Sequence, residues 1–308
     1  MSISNIVVVG SSNTDMIIKM DKIPVPGETV LGGEFSIAAG GKGANQAVAA
    51  ARAGGKVTFI ACVGEDMFGK QAVEGFVKDG ITVDYIFTDK EAASGVALIF
   101  VDKKGEKSIA VASGANYKLT PAHINHAKNA IKSAQIIVMQ LETPIDTVTA
   151  AAKLAHKNGV KVILNPAPAR HLDIDLFQNL SILTPNESET ELLTGIKVED
   201  DASAKKAAII LLNRGLEAVL ITLGPRGAFL ATIDTFNIVP GFIVKPVDTT
   251  AAGDVFNGAL AVSLAEKKSL EDAVRFANAA AALSVTKLGA QPSAPNRQEI
   301  ERFLESHS

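Results

Sequence analysis

The sequence predicts an α/β fold: a mainly parallel central sheet flanked by helices on both faces, with a small β-sheet set apart from it. Two observations lead there. Short apolar, β-branched runs recur at Ile6–Val9, Val57–Val63, Ile136–Leu141, Val160–Leu164 and Ala218–Leu223, the pattern of strands buried on both faces. Most are followed by a helical pattern that closes on a stop signal. Ala44–Ala53 ends at Gly54, Pro144–Lys157 at Asn158-Gly159, and Ala202–Arg214 at Gly215, each with the residue type that caps a helix C-terminus. Strands that alternate with helices over short connections pair in parallel, because each helix carries the chain back to the same end of the sheet.

Two segments break the alternation. Thr29–Ala39 and Ser94–Ala112 read as extended chain, the second as a hairpin around Asp102-Lys103-Lys104-Gly105, whose glycine suits a reversing turn. Few helices are at hand to cover them. The expectation is one domain over 1–308, with lid strands inserted at about 29–39 and 94–112. The exposed face of such a sheet invites pairing with a second copy or closure over a ligand.

Composition narrows the function. Apolar residues are 47% and charged residues 20% of the 308, values of an ordinary water-soluble chain. The apolar runs are far short of the roughly 20 residues that cross a bilayer, and Met1–Gly10 reads as a polar lead and a strand without the pattern of a signal peptide. No membrane association and a cytoplasmic location are expected. The single cysteine, Cys62, excludes an internal disulfide and reads as a small buried hydrophobe. A net charge of −3 without a dense basic run argues against nucleic acid as a partner. Phosphates, if handled, must then be held by backbone N–H groups, a few local cations and metal ions.

Three segments carry chemistry. Asp248-Thr249-Thr250-Ala251-Ala252-Gly253-Asp254 is a loop of small residues opening a helix over Val255–Ala265. Unpaired N–H groups at such a start, with the helix dipole, stabilise a transferring phosphoryl group. Asp254 beside that anion site suits a base that accepts a hydroxyl proton as phosphate charge develops, and an ordinary pKa near 4 would leave it ionised. The plain alternative is a carboxylate that caps the helix. Gly40-Gly41-Lys42-Gly43-Ala44-Asn45 brings backbone close to a ligand, with Lys42 and Asn45 as polar partners for hydroxyls; read alone, it is also an ordinary glycine turn. It is not a Walker A loop, and no dinucleotide fingerprint follows the first strand. The turn Gly10-Ser11-Ser12-Asn13-Thr14-Asp15 sets Asn13 and Asp15 at a strand's carboxyl end, where open α/β sheets hold ligands, although an Asx turn would read the same. His123 and His126, three apart on a helix surface, lack a third metal ligand.

The pair Gly40–Asn45 and Asp248–Asp254 resembles the two signatures of the ribokinase-like (PfkB) family of carbohydrate and nucleoside kinases. Asn13-x-Asp15, Asn165-Pro166-Ala167-Pro168, Thr184-Pro185-Asn186-Glu187-Ser188-Glu189 and Gly289-Ala290-Gln291-x-Ser293 extend the resemblance across nearly the whole chain. The resemblance implies transfer of the ATP γ-phosphoryl group to a sugar, with the 5-hydroxyl of D-ribose as the expected acceptor. It implies Asn13, Asp15, Gly41, Lys42, Gly43, Asn45 and Glu142 around the sugar, Asp254 as base, and the Ala251, Ala252 and Gly253 amides as anion hole. For ATP it implies Asn186, Thr222, Leu223, Gly224, Pro225, Arg226, Gly227, Gly253 and Asn278; without it, Gly224–Gly227 reads as a hairpin turn. Mg²⁺ would be held indirectly by Glu189, within an Asn186-x-x-Glu189 pair that also reads as a capped helix start. A K⁺ site would draw on Asp248, Thr250, Ser284, Lys287, Gly289 and Ser293, several through carbonyls alone, and a homodimer would form through the lid strands. Many members carry glycine where this chain has Ala251, which takes up positive φ less readily and implies a stiffer loop. Kinases for deoxyribose, fructose or a nucleoside share both signatures and stay open. A non-catalytic sugar-binding regulator would not need Asp254 or Glu189, and an NAD-dependent dehydrogenase would need the missing fingerprint.

Overall fold

In the computed structural model, which describes residues 4–307, the apolar runs form strands and the runs between them helices. Met1–Ile3, at the head of the polar lead, and Ser308 lie outside the described residues. The strands are β1 (Asn5–Val9), β2 (Asn13–Lys19), β3 (Glu34–Gly40), β4 (Lys56–Gly64), β5 (Thr82–Asp89), β6 (Gly95–Val101), β7 (Lys107–Ala112), β8 (Ile136–Met139), β9 (Lys161–Leu164), β10 (Ile182–Leu183), β11 (Ala218–Thr222), β12 (Gly227–Ala231) and β13 (Phe236–Pro240). The helices are α1 (Lys42–Arg52), α2 (Met67–Lys78), α3 (Pro121–His126), α4 (Lys128–Ser133), α5 (Ile145–Lys157), α6 (Ile174–Phe177), α7 (Glu187–Thr194), α8 (Asp201–Leu212), α9 (Ala252–Ala265), α10 (Leu270–Ser284) and α11 (Arg297–Ser306).

Nine strands form the main sheet in the order β13-β12-β11-β10-β9-β8-β1-β4-β5. All pair in parallel except β12 and β13. Because side chains alternate across a strand, β1 sends Ile6 and Val8 into one apolar cluster and Val7 and Val9 into the other. The first cluster is closed by α1, α9 and α10, the second by α5 and α8. Cys62 is buried in the second.

The small sheet has four strands in the order β3-β2-β6-β7. Its β6–β7 hairpin turns at Asp102–Gly105, where Gly105 has φ 83°. Residues 29–33 stay outside any strand, and β3 begins at Glu34. The difference from the sequence reading is β2, which was expected as a turn. It starts at Asn13 and pairs with β3 on one side and β6 on the other, because the apolar half of Asn13–Lys19 has two neighbouring strands to cover it.

One close approach positions the site. A Cβ on Gly258 of α9 would stand 2.7 Å from the Ala49 Cβ, the Ala50 N and the Gln46 O of α1, closer than real Cβ atoms come, so glycine lets the two helices touch backbone to backbone.

Candidate active site

The ends of β1, β8, β9 and β10 meet the first turns of α1 and α9 in a network of polar side chains, of which Asn45 and Gln46 of α1 reach Asp254. Asp254 is the third residue of α9 and is buried. Ahead of it, Ala251 takes the left-handed conformation at φ 61°, which costs an alanine roughly 1–2 kcal/mol, so the stiffness expected of this loop is accompanied by stored strain. The Asp254 carboxylate turns away from its own helix end: Oδ2 accepts from Asn45 Nδ2 and Oδ1 from Gln46 Nε2, each at 2.9 Å. Burial pushes its pKa above the ordinary carboxylate value, against Lys42 and the two amide donors, which pull it down. That corrects the ordinary pKa near 4 expected from sequence.

Lys42 and Asn45 stand on the first turn of α1. The N-cap of that helix, Gly41, has φ 89°, and a Cβ there would lie 2.7 Å from the Asn13 N, so the start of α1 can be laid against the start of β2 only by glycine. Burial alone would lower the Lys42 pKa, but Asp254, Glu142, Glu189 and Asp15 around it win and hold it raised. Glu142 caps α1 from outside: its Oε2 accepts from the Lys42 N at 3.0 Å and from Ser11 Oγ at 2.5 Å. Gly43 N donates to Ser11 Oγ at 3.3 Å. Asn13 Oδ1 accepts from Asn116 Nδ2 at 2.7 Å, while Asn116 Oδ1 accepts from the Ser12 N at 2.8 Å. Asp15 has its pKa pushed up to about 6, first by burial and then by Glu142 and Asp254, with Lys42 opposing. The chemistry open to this cluster is recognition of several hydroxyls and removal of one proton. Ser11, Gln46, Asn116 and Gln140 belong to it and were not singled out from sequence; residue types so common become visible only as partners.

Asn186 and Glu189 open α7 as a reciprocal cap. Asn186 Oδ1 accepts from the Glu189 N and Glu189 Oε2 from the Asn186 N, both at 2.8 Å. Glu189 is nevertheless buried, with its pKa raised by that burial and by Asp254, against the Asn186 amide and Lys42. No group of three or more His, Cys, Asp or Glu among the described residues is arranged to hold a metal ion. His123 instead stacks on Phe87, with ring centroids 4.1 Å apart.

A cleft of about 300 Å³ opens on the other side of the α9 start. Thr222, Gly224, Pro225, Gly227, Gly253 and Asn278 line it, as does Phe242, which was not singled out from sequence. Leu223 and Arg226 do not line it: Leu223 is buried in the core, and Arg226 pairs with Glu187 at 3.3 Å. The Gly224–Arg226 turn links the antiparallel strands β11 and β12, so the plain hairpin reading also holds. Asn278 Nδ2 donates to the Val239 and Pro240 carbonyls at 3.0 and 3.1 Å.

Of the cation set, the structure brings Asp248, Thr250 and Gly289 together: Asp248 accepts from the Thr250 N and the Gly289 N, each at 3.0 Å. Ser284 and Ser293 donate their hydroxyls to Ala281 and Ala290 carbonyls, and Lys287 reaches Glu299. Lys287 has no side-chain oxygen and could serve an ion only through its carbonyl, while the two serine hydroxyls keep lone pairs free to accept. The Lys107 ammonium of β7 lies 3.6 Å from Asp248 Oδ1 and 3.0 Å from Thr250 Oγ1, so the oxygens here already attract a cation.

Residues 3–297 match the model of the pfkB family of carbohydrate kinases. The chain is 49% identical to a ribokinase of Haemophilus influenzae over 97% of each chain. It is 39% identical to a deoxyribokinase of Salmonella typhi over 97% of this chain and 98% of that one. Its fold superimposes on a structure of Arabidopsis thaliana ribokinase complexed with ribose and ATP with a TM-score of 0.93, at 34% identity, over 98% of this chain and 99% of that one.

Proposed function

This chain belongs to the pfkB family of carbohydrate kinases, and on that premise we propose that it phosphorylates the 5-hydroxyl of D-ribose with ATP. The observation that carries the reading is the Asp254 carboxylate, buried at the start of α9 and held by Asn45 and Gln46 between the polar cluster and the cleft. Asn13, Asp15, Lys42, Asn45 and Glu142 bind the sugar hydroxyls, and the cleft beside Gly253 and Asn278 takes the nucleotide. Asp254 accepts the hydroxyl proton as that oxygen attacks the γ-phosphorus. The bond to the bridging β–γ oxygen breaks, ADP departs, and the sugar leaves as its 5-phosphate. The 251–254 amides, at the positive end of α9, stabilise the charge on the transferring group. Burial makes Asp254 a stronger base than a free carboxylate, closer to the pH at which it works.

Mg²⁺ that enters with ATP supplies neutralisation of phosphate charge, with Glu189 and Asn186 as the residues that would hold it. K⁺ at Asp248, Thr250 and the 284–293 carbonyls would order the anion hole without touching substrate. The reading takes the chain as one domain whose small sheet is a lid. The pleat turns Asp15, Ala97 and Val111 to one face and Ile37 and Leu98 to the other. The first face covers the sugar and excludes water. The second, where Phe35, Ile37 and Leu98 are exposed, pairs with a second copy as a homodimer. No helix of the described residues is long and apolar enough to cross a membrane, and reliance on ATP fits a cytoplasmic enzyme.

A deoxyribokinase is the second reading, favoured by the Salmonella relative. The test assays D-ribose, 2-deoxy-D-ribose and D-fructose with ATP, using the native chain and a folded Asp254→Asn. The expected result is turnover of ribose above the others and a kcat reduced about 10³-fold or more in the variant. Preference for another sugar would move the substrate assignment; near-native turnover by the variant would remove the base.

A further inference from the structure

We infer that Gln46 is a positioning residue for the reaction: locked in one orientation by Gln140 and Asn165, it holds the plane of the Asp254 carboxylate. The inference rests on the proposed role of Asp254 as base and adds a residue that lies behind it, away from any substrate.

Gln46 follows Asn45 on α1 and is fully buried. Its Oε1 accepts from Gln140 Nε2 at 2.5 Å, and its Nε2 donates to Asp254 Oδ1 at 2.9 Å and to Asn165 Oδ1 at 3.3 Å. An amide has one accepting end and one donating end. With Gln140 at the accepting end, turning Gln46 over would face its oxygen to a carboxylate and to another amide oxygen, and its NH₂ to Gln140's. The donor therefore points at Asp254 in the only arrangement that pairs both ends. Asn165 is fixed in turn, since its Nδ2 donates to the Thr184 carbonyl at 3.0 Å. Thr184 Oγ1 donates to Asn257 Oδ1 at 2.7 Å, and Asn257 Nδ2 to the Gly253 carbonyl at 2.8 Å. The chain of contacts starts at the base and returns to the residue before it.

A packing role does not explain this arrangement. Gln140 is fully buried, and its Oε1 has no hydrogen-bond partner among the described residues. A Cβ on residue 10 would stand 2.1 Å from that oxygen, so Gly10 is what leaves it room. Apolar side chains would fill the space without an unpaired acceptor. What they could not supply is a donor to the second carboxylate oxygen. Asn45 fixes Oδ2 from the sugar side and Gln46 fixes Oδ1 from the interior, so the carboxylate cannot rotate and its remaining lone pairs keep one direction.

The test replaces Gln46 by methionine, which keeps the unbranched shape and removes the donor, and measures kcat, both KM values and the pH profile of kcat. The expected outcome is a kcat lowered about 10- to 100-fold, with KM for sugar and ATP within about threefold. The acid limb is expected to move up by about one pH unit, since a lost hydrogen bond to the ionised form favours protonation. Gln140→Leu, which touches neither Asp254 nor substrate, is expected to move rate and acid limb the same way by a smaller amount, and it decides the matter if Gln46→Met does not fold. A native rate, or a lowered rate with an unmoved acid limb, overturns the inference. Asp254→Asn in the same assay separates the causes: if it abolishes turnover while Gln46→Met is silent, only this inference fails; if it is active, both fail.

Discussion

Around the proposed sugar site, Asn13, Asn45, Glu142 and Asp254 offer side chains already held by neighbours, with Asp15 and Lys42 beside them, whereas the proposed nucleotide cleft is walled by Gly224, Pro225, Phe242, Phe256 and Ala282. One half selects by directed side-chain atoms; the other selects by shape and backbone. A buried polar pocket penalises a ligand that leaves one of its groups unpaired, while an apolar slot discriminates only by fit. On this contrast sugar choice is strict and sensitive to single substitutions, and nucleotide binding is tolerant of them.

The strongest challenge to the contrast is Asp15→Asn. Loss of one charged acceptor is expected to lower kcat/KM for the sugar about 100-fold and to leave KM for ATP unchanged, as measured by varying each substrate in turn. The same carboxylate sets a pH dependence. With a folded-state pKa of about 6 against an ordinary 3.8, Asp15 gains its proton as pH falls through 6, and KM for the sugar should rise there in the native chain alone. The folded state binds that proton more readily than the unfolded state, so the carboxylate costs stability at pH 7 and the cost fades as pH drops below 6. Asp15→Asn should therefore melt about 2–4 °C higher at pH 7, a stability gain with a loss of function. An unchanged sugar KM, or a lower melting point, breaks this half of the comparison.

On the other side, Asn278→Ala removes the only amide side chain that lines the cleft among the described residues and should raise KM for ATP about 2- to 10-fold, the value of a neutral hydrogen bond, with the sugar KM unmoved. A 100-fold effect would erase the distinction between the two halves. The smallest effect is expected from exchanging K⁺ for Na⁺, which should lower kcat by up to about tenfold, or ~1.4 kcal/mol of lost preorganisation. Equal rates in the two salts would leave the Asp248 loop without an ion to order it.

Sequence patterns reached the two halves unequally. The parallel strands, the Asp248–Asp254 helix start and the Gly40–Asn45 turn were legible because each needs particular residue types at fixed spacing. β2 was not, since Asn13 and Asp15 imitate a turn and its apolar half shows as strand only between β3 and β6. Gln46, Gln140 and Asn116 carry no local signal: their meaning is in which end of each amide faces which neighbour. The cleft wall at Phe242 follows no period, because an irregular segment lays it against Phe303 of α11.

The contact between Asn45 and Asp254 spans 209 positions of chain. Contacts of such range form late, after the intervening strands and crossover helices have organised. A growing polypeptide can thus complete its first strands and present Lys42 long before it owns the proposed base, and on that proposal phosphoryl transfer would switch on only once α9 has docked against α1. Recovery of turnover on refolding should coincide with that docking step, with no partly active species before it.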